Sequence, residues 1–458
     1  MNENFKKTFS TKNATTDNHP KEPIEVIIGL DFGTSYSKIC YSHPGKKGVP
    51  VNFIDDNGQT TLFKPTKVYF STKTKRLYYT KPQKEVFDCI QYFKYTMIRD
   101  VLQKSRCLQK HCSELSHNPE TLCSVFFIAS LLREVFQLIR EKLVPGDAHR
   151  EIRWSVNMGV PIENYHDDNL KVYNSVLHAG FKLSSLLTDD SIDLLEMDRI
   201  VTRFEEQPDW QQNDRLTTLP ELYAEAMAYL KDPQTQTGFY TIIDIGGGTT
   251  DLATLYISRD NGSPECIFLS QKVLPLGVEA LVDTVASSSL RSGKRDQIKH
   301  YFQSTQKLCA DSTLFDESKY TECKQQFLQG FSKVVMDAKV KYRNQMDVQK
   351  KLNKQLPYFL FGGGSEYAWY QLLILKCNEG FTGANIPEMI RVHLNTQFST
   401  ELIKNDPYGR LLIARMLATS HFPPIEGFPW HFTEQKLKYR DADMNEVLED
   451  IQTEKYGN

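Results

Sequence analysis

VIIGLDFGTSYSKICY, Val26–Tyr41, is the stretch on which the reading of this chain turns. An apolar run ends on Asp31, crosses Gly33, Thr34 and Ser35, and resumes with polar and apolar residues in alternation. That is strand, tight turn, strand. A core strand has no need of a carboxylate followed by small hydroxyls. The same pattern returns as FYTIIDIGGGTTDLATLYI, Phe239–Ile257, with Asp244, Gly246, Gly247, Gly248, Thr249 and Thr250 in the corresponding places. A third glycine turn lies in YFLFGGGSEYAWYQLLI, Tyr358–Ile374, between a strand pattern and a helix pattern. One unit occurring twice at so wide an interval is a duplication of architecture, not a short solenoid repeat. It implies an α/β protein of two similar lobes facing each other across a cleft.

The turns themselves suggest chemistry. Glycines let backbone N–H groups point into a concave space, where a phosphate is the natural guest. The hydroxyls of Thr34, Ser35, Thr249 and Thr250 add donors. Asp31 and Asp244 would repel a bare phosphate, but they suit a hydrated Mg²⁺ lying between them and the phosphates. The plainer alternative is that each aspartate caps the end of its strand at an ordinary hairpin turn. Recurrence of the unit, with a third glycine turn beside it, favours the phosphate reading.

Around these turns, TKVYFSTKTKRLYYT (Thr66–Thr80) alternates as a hairpin would, and Phe87–Leu102 and Leu122–Leu143 have helical period. IRWSVNMGVPI (Ile152–Ile162) reads as a strand ending at Gly159 and Pro161, followed by a helix to about Gly180. Leu187–Thr218 reads as an irregular insertion. LPELYAEAMAYL (Leu219–Leu230) is a helix with Pro220 near its first turn, where a missing N–H costs little. Lys231–Gly238 is a linker, and Asp406–Ala418 contains a last helix. The expected organisation is a disordered arm over 1–23, a first lobe over 24–230, a second over 231–405, a connecting helix over 406–419 and a tail over 420–458.

Bulk properties narrow the function classes. The 458 residues are enough for two or more domains, and the net charge of −2 gives no basic field for nucleic acid. The N-terminal stretch lacks the apolar core of a signal peptide, and no apolar run stands out as a membrane span. The expectation is a cytoplasmic protein with no membrane partner. Nine cysteines in so long a chain are not a disulfide framework. Cys107, His111, Cys112, His117 and Cys123 crowd together, but their spacing matches no common zinc finger, and the helical period places Cys123 towards a core.

Taken together, these motifs resemble the ATPase domain of the DnaK-type heat-shock chaperones, within the actin, sugar-kinase and heat-shock-chaperone superfamily. GLDFGTSYSKICY is similar to the family's first phosphate loop, IIDIGGGTTDLATL to its second, and LFGGGSEYAWYQ to its adenosine loop. VNMGVP, with Pro161, resembles the strand of the interlobe switch. PELYAEAMAY and PYGRLLIARMLA look like the two connecting helices, with Gly409 at the interlobe crossing. FDCIQYFKYTMI resembles the segment that carries the family's lysine, here Lys94. The resemblance implies an actin-like ATPase fold of duplicated ribonuclease-H-like lobes with a nucleotide cleft, and ATP and Mg²⁺ as ligands.

It also implies site residues. Asp31 and Asp244 would hold the metal through waters. Gly33, Thr34, Ser35 and Tyr36 would cradle phosphates from the first loop; Gly246, Gly247, Gly248 and Thr249, supported by Gly277, would do so from the second. Gly362, Gly363, Gly364 and Ser365 would admit ribose and α-phosphate. Lys94 would neutralise charge on the γ-phosphoryl group, or else be a solvated helix lysine. Glu221 would orient the attacking water, directly or through Asp244, or else be a carboxylate favoured at a helix N-terminus.

Departures from the family are equally specific. Glu366 stands where the family has an arginine that packs on the base, and Asn169 where it has the arginine that relays Pro161. Residues 420–458 leave no room for the family's peptide-gripping β-sandwich and lid. The implied function is a slow ATP hydrolase acting as a nucleotide-dependent switch for a protein partner, without a peptide-binding domain of its own. An actin-like filament former and a small-molecule kinase are the alternatives.

Overall fold

The computed structural model describes residues 22–84, 86–97, 106–147, 149–161, 168–231, 235–258, 265–286, 292–308, 314–342, 355–378, 388–391 and 410–419. Residues 1–21 of the arm, the tail and Gly409 lie outside them.

Two mixed sheets carry the fold. The first is built from β1 (Ile24–Asp31), β2 (Tyr36–His43), β3 (Lys46–Pro50), β4 (Ile152–Val160) and β5 (Leu216–Pro220), in the order β3-β2-β1-β4-β5. Strand β2 runs antiparallel to both its neighbours, and β1, β4 and β5 are parallel. The second contains β6 (Gly238–Ile245), β7 (Thr250–Ser258), β8 (Glu265–Leu274), β9 (Gln355–Phe361) and β10 (Glu388–Arg391), in the order β8-β7-β6-β9-β10. Here β7 is antiparallel to both neighbours, and β6, β9 and β10 are parallel. Strand order and the sense of every pairing are therefore the same in the two sheets. The duplication read from the turns extends to whole sheets.

Helices α1 (Pro119–Leu143), α2 (Asp168–Ser184) and α3 (Leu194–Glu205) bury their apolar faces in one core with Val26, Ile28 and Leu30 of β1. Helix α1 starts where Pro119 follows Asn118, whose side chain accepts the Glu120 N–H at 3.0 Å. It is long and apolar enough, by length and composition alone, to cross a membrane, which the sequence reading missed; 72% of that apolar window is buried in the protein, as in a core helix. Cys123 lies in that core, as its period indicates.

Helices α4 (Glu221–Lys231), α5 (Val278–Val285), α6 (Ser292–Ser304), α7 (Glu317–Tyr342), α8 (Ala368–Asn378) and α9 (Leu412–Thr419) complete the described architecture. α5 to α8 cover one face of the second sheet, and α4 and α9 share a core with its other face. α9 also reaches the first sheet. A Cβ on Gly29 of β1 would stand 2.0 Å from the carbonyl oxygen of Ala414, so glycine is what lets the helix lie on the strand.

Three expectations are corrected. Phe87–Leu102 is not one helix: Asp88–Gln91 is a strand pairing with Lys67–Ser71, and Phe93–Thr96 is a single turn, with 98–105 outside the described residues. Ile90 meets Val68 across that ladder, and Tyr92, at φ 62°, ends the strand. Leu187–Thr218 is not irregular: it supplies Ser191–Asp193, α3 and β5. Asp193 caps α3 by accepting the N–H groups of Leu195 and Glu196, both at 3.0 Å, while Leu194, Met197, Val201 and Phe204 face the core. Pro220 is the last residue of β5, immediately before the helix rather than within it.

Candidate functional site: a carboxylate-lined cleft between the sheets

Parallel strands β1, β6 and β9 end at the same place, and the turns that follow them enclose a cleft of about 280 Å³. That is at the lower edge of the roughly 300–1,000 Å³ usual for small-molecule sites. Clefts beyond the carboxyl ends of parallel strands are where α/β sheets bind ligands.

Each turn is locked from behind. In the first, Thr66 donates its N–H to the Ser35 carbonyl at 2.9 Å and its hydroxyl to the Gly33 carbonyl at 2.8 Å. In the second, the start of α5 holds the loop: Val278 N–H donates to the Gly246 carbonyl at 3.0 Å and Glu279 N–H to that of Gly247 at 2.7 Å. In the third, the Ser365 hydroxyl donates to the Gly362 carbonyl at 2.7 Å. Gly362 has φ +78°, and a Cβ there would stand 2.3 Å from Asp244 Oδ1.

The first two turns face each other. A Cβ on Gly247 would stand 2.5 Å from the Ser35 hydroxyl and 3.4 Å from Thr34 Cβ. Ser35 Oγ is buried and has no hydrogen-bond partner among the described residues. Gly363 is open, with nothing near its missing side chain.

Fourteen of the eighteen residues given a role at the turns in the sequence line this cleft: Asp31, Lys94, Glu221 and Asp244; Gly33 to Tyr36; Gly246, Gly247 and Thr249; and Gly362 to Gly364. Thr250 does not: its buried hydroxyl donates to the Leu276 carbonyl at 2.7 Å. Gly248, Gly277 and Ser365 stand behind it. A Cβ on Gly277 would collide with the backbone of Gly247 and Thr249 at 2.5 Å, so its part is to support the loop.

Lys94 is no solvated lysine. It is 3% exposed and donates to Glu221 Oε1 at 2.9 Å, with its ammonium 5.5 Å over the Phe32 ring. Burial pushes the Glu221 carboxyl up, against the pull of Lys94.

Among the lining residues that the sequence reading did not single out are Lys38, Phe63, Glu225 and Arg410. Lys38 donates to Asp31 Oδ2 at 2.7 Å. Burial alone would lower its affinity for a proton, but the Asp31 carboxylate outweighs that and raises it. Glu225 sits one helical turn beyond Glu221, fully buried, with neither carboxylate oxygen hydrogen-bonded among the described residues. Burial first, and the charges of Asp244 and Glu221 next, hold its carboxyl well above the usual range. Asp244 is shifted the same way by burial and by Asp251, its cross-strand neighbour. Arg410 stacks 4.3 Å over the Phe63 ring and stands 3.7 Å from Glu366.

Outside the turns, Tyr92 donates to Glu279 Oε2 at 3.0 Å, which joins the first half of the chain to the second beside the cleft. Arg295 and Lys299 converge on the same carboxylate, both at 2.6 Å.

A metal between Asp31 and Asp244 would meet unlike partners. Asp244 carries no side-chain hydrogen bond among the described residues and fits. Asp31 already has Lys38 donating to its Oδ2 at 2.7 Å, so a metal-bound water there would share the carboxylate with an ammonium. Among the described residues no three His, Cys, Asp or Glu side chains are grouped to hold an ion directly. In the Cys/His segment, His117 is engaged by Asp198 at 2.7 Å and Glu205 at 2.9 Å. Comparison of the sequence with protein-family models gives no match, and neither does comparison with curated proteins.

Proposed function

We propose that the cleft is a nucleoside-triphosphate site and that the protein is a slow, chaperone-like ATPase. In this reading it has the two-lobed, actin-like architecture and serves as a nucleotide-dependent switch for a protein partner. One observation carries the reading: two glycine–hydroxyl turns, each closing the equivalent hairpin of two sheets with the same strand order, meet so closely that Gly247 has no room for a Cβ beside Ser35. Hairpin turns serving only to reverse the chain have no reason to converge on each other.

In the mechanism, backbone N–H groups and the Ser35 hydroxyl receive the β- and γ-phosphates. Glu221 Oε1 holds Lys94, leaving Oε2 to orient the attacking water. Lys94 faces the charge that develops on the γ-phosphoryl group. Mg²⁺ would be held through waters from Asp244 and supplies charge neutralisation to the phosphates. Glu366, paired with Arg410, replaces the base-packing arginine of the resembled family, so base preference rests on this pair and Phe63.

Thermal unfolding with ATP, ADP and GTP, each with Mg²⁺, tests the site. Ligand at a hundred times Kd should add about 2.7 kcal/mol to stability. A melting temperature unmoved by all three refutes the reading.

A further inference from the structure

On the reading of the cleft as a nucleoside-phosphate site, we propose that Glu366 is a base-reading residue, and that it opens the site to guanine nucleotides beside adenine ones. The case starts from a change in chemistry along the lining. The facing turns around Ser35 and Gly247 present backbone and small hydroxyls. The same cleft is also lined by Phe63, Glu366, Tyr367 and Arg410: two rings and an opposed pair of charges. A phosphate belongs with the turns. A planar base belongs with the rings and the guanidinium, against which bases of every kind stack. Such stacking does not choose between bases. Selection falls to the polar group beside it, and that group is a carboxylate.

Glu366 is placed to accept. Its Oε1 is buried and has no hydrogen-bond partner among the described residues, while the side chain as a whole is 31% exposed. Arg410 stands 3.7 Å away, which is within ion-pair range and beyond a hydrogen bond. The guanidinium, 4.3 Å over the Phe63 ring, therefore steadies the carboxylate by charge and leaves its oxygens to other donors. An ionised carboxylate has two oxygens that accept and no proton to give. The Watson–Crick edge of guanine presents two donors side by side, N1–H and the 2-amino group, which match those oxygens. The same edge of adenine presents one donor, the 6-amino group, beside the N1 lone pair, which a carboxylate repels. Glu366 thus adds to guanine binding what it cannot add to adenine binding.

Calorimetric titration of GTP, ITP and ATP, each with Mg²⁺, separates the cases, because inosine keeps N1–H and lacks the 2-amino group. GTP should bind at least as tightly as ATP, and about tenfold or more tighter than ITP, the step expected for one hydrogen bond to a charged group. Glu366→Gln keeps the size of the side chain and replaces one acceptor oxygen by a donor. It should lose about ten- to a hundred-fold for GTP, the range for a bidentate contact to a base, and narrow the gap between GTP and ITP. Its affinity for ATP should stay at the wild-type level, which also reports that the variant is folded. The step between GTP and ITP is read on the wild type alone, so it decides the matter if the variant does not fold. GTP bound more weakly than ATP, GTP and ITP bound alike by the wild type, or a folded variant that loses no GTP affinity or loses GTP and ATP equally, overturns the proposal and leaves the nucleotide site standing. No binding of any of the three overturns the site and the proposal together.

Discussion

Glu225→Gln should make the protein more stable, and increasingly so as pH rises. Glu225 is fully buried, both its oxygens lack partners, and Asp244, Glu221, Asp251 and Asp31 all act on it with the same sign. In the unfolded chain its carboxyl titrates near 4.5, the ordinary value for a glutamate; in the fold, burial and these neighbours hold it well above that. Between the two values the folded protein keeps a proton that the unfolded chain has released. Stability from this group is therefore full below the unfolded value and is lost as pH rises through the folded one. One proton gives a slope of at most about 1.4 kcal/mol per pH unit. Glutamine has the same shape and no proton to lose. The stability difference, variant minus wild type, should be near zero at about pH 4.5 and climb by up to about 1.4 kcal/mol per unit above it. Asp244 and Glu221 are shifted in the same direction but remain in both proteins. Urea unfolding at four pH values from about 5 to about 8 measures the difference directly. A difference that is flat across this range, or that falls with pH, refutes the account of Glu225 as an unpartnered acid held neutral.

Two further substitutions test the cleft. Gly247→Val should abolish nucleotide binding in a folded protein, because its Cβ would stand 2.5 Å from the Ser35 hydroxyl; normal affinity by calorimetry contradicts the facing-turn geometry. The cause is contact alone, since φ at Gly247 lies outside the left-handed region. Glu221→Gln should keep the fold and ATP affinity while single-turnover hydrolysis falls roughly ten- to ten-thousand-fold; unchanged turnover leaves Glu221 as the structural partner of Lys94.

Legibility followed how local the determining physics is. Both hairpins could be read because turn residues and flanking strand alternation lie within one short window, and their recurrence pointed to the duplication. Lys38 could not be read in the same way. Its pairing with Asp31 depends on ladder register, and a turn one residue longer would put a different residue opposite. Glu225 was within reach: it follows Glu221 by one helical turn, and such residues share a face. What hid it was the strength of the apolar pattern in LYAEAMAYL, which reads as core throughout. α3 was also announced, by Asp193 and Glu196 at capping positions ahead of Met197, Val201 and Phe204. The contact between Phe63 and Arg410 joins distant parts of the chain, and no local signal pairs them.

The two halves repeat each other in topology and differ in charge, and that difference orients the cleft. Both cleft lysines, Lys38 and Lys94, come from the first half of the chain. Among the described residues, the cleft carboxylates with no salt bridge, Asp244 and Glu225, belong to β6 and α4. Left fully ionised, they would oppose any anion that the lysines attract. Burial and mutual repulsion push both towards the neutral form, which weakens that opposition. On the proposed reading, a phosphate chain is drawn to the ammonium groups of Lys38 and Lys94, and the upward shifts of Asp244 and Glu225 lessen the opposition it meets. An exact duplicate of the first hairpin would instead place a second aspartate–lysine pair at Asp244, and both walls would carry their own cation. On that reading, divergence at one cross-strand position, Lys38 against Asp251, would let a scaffold of repeated topology favour one orientation of an asymmetric ligand.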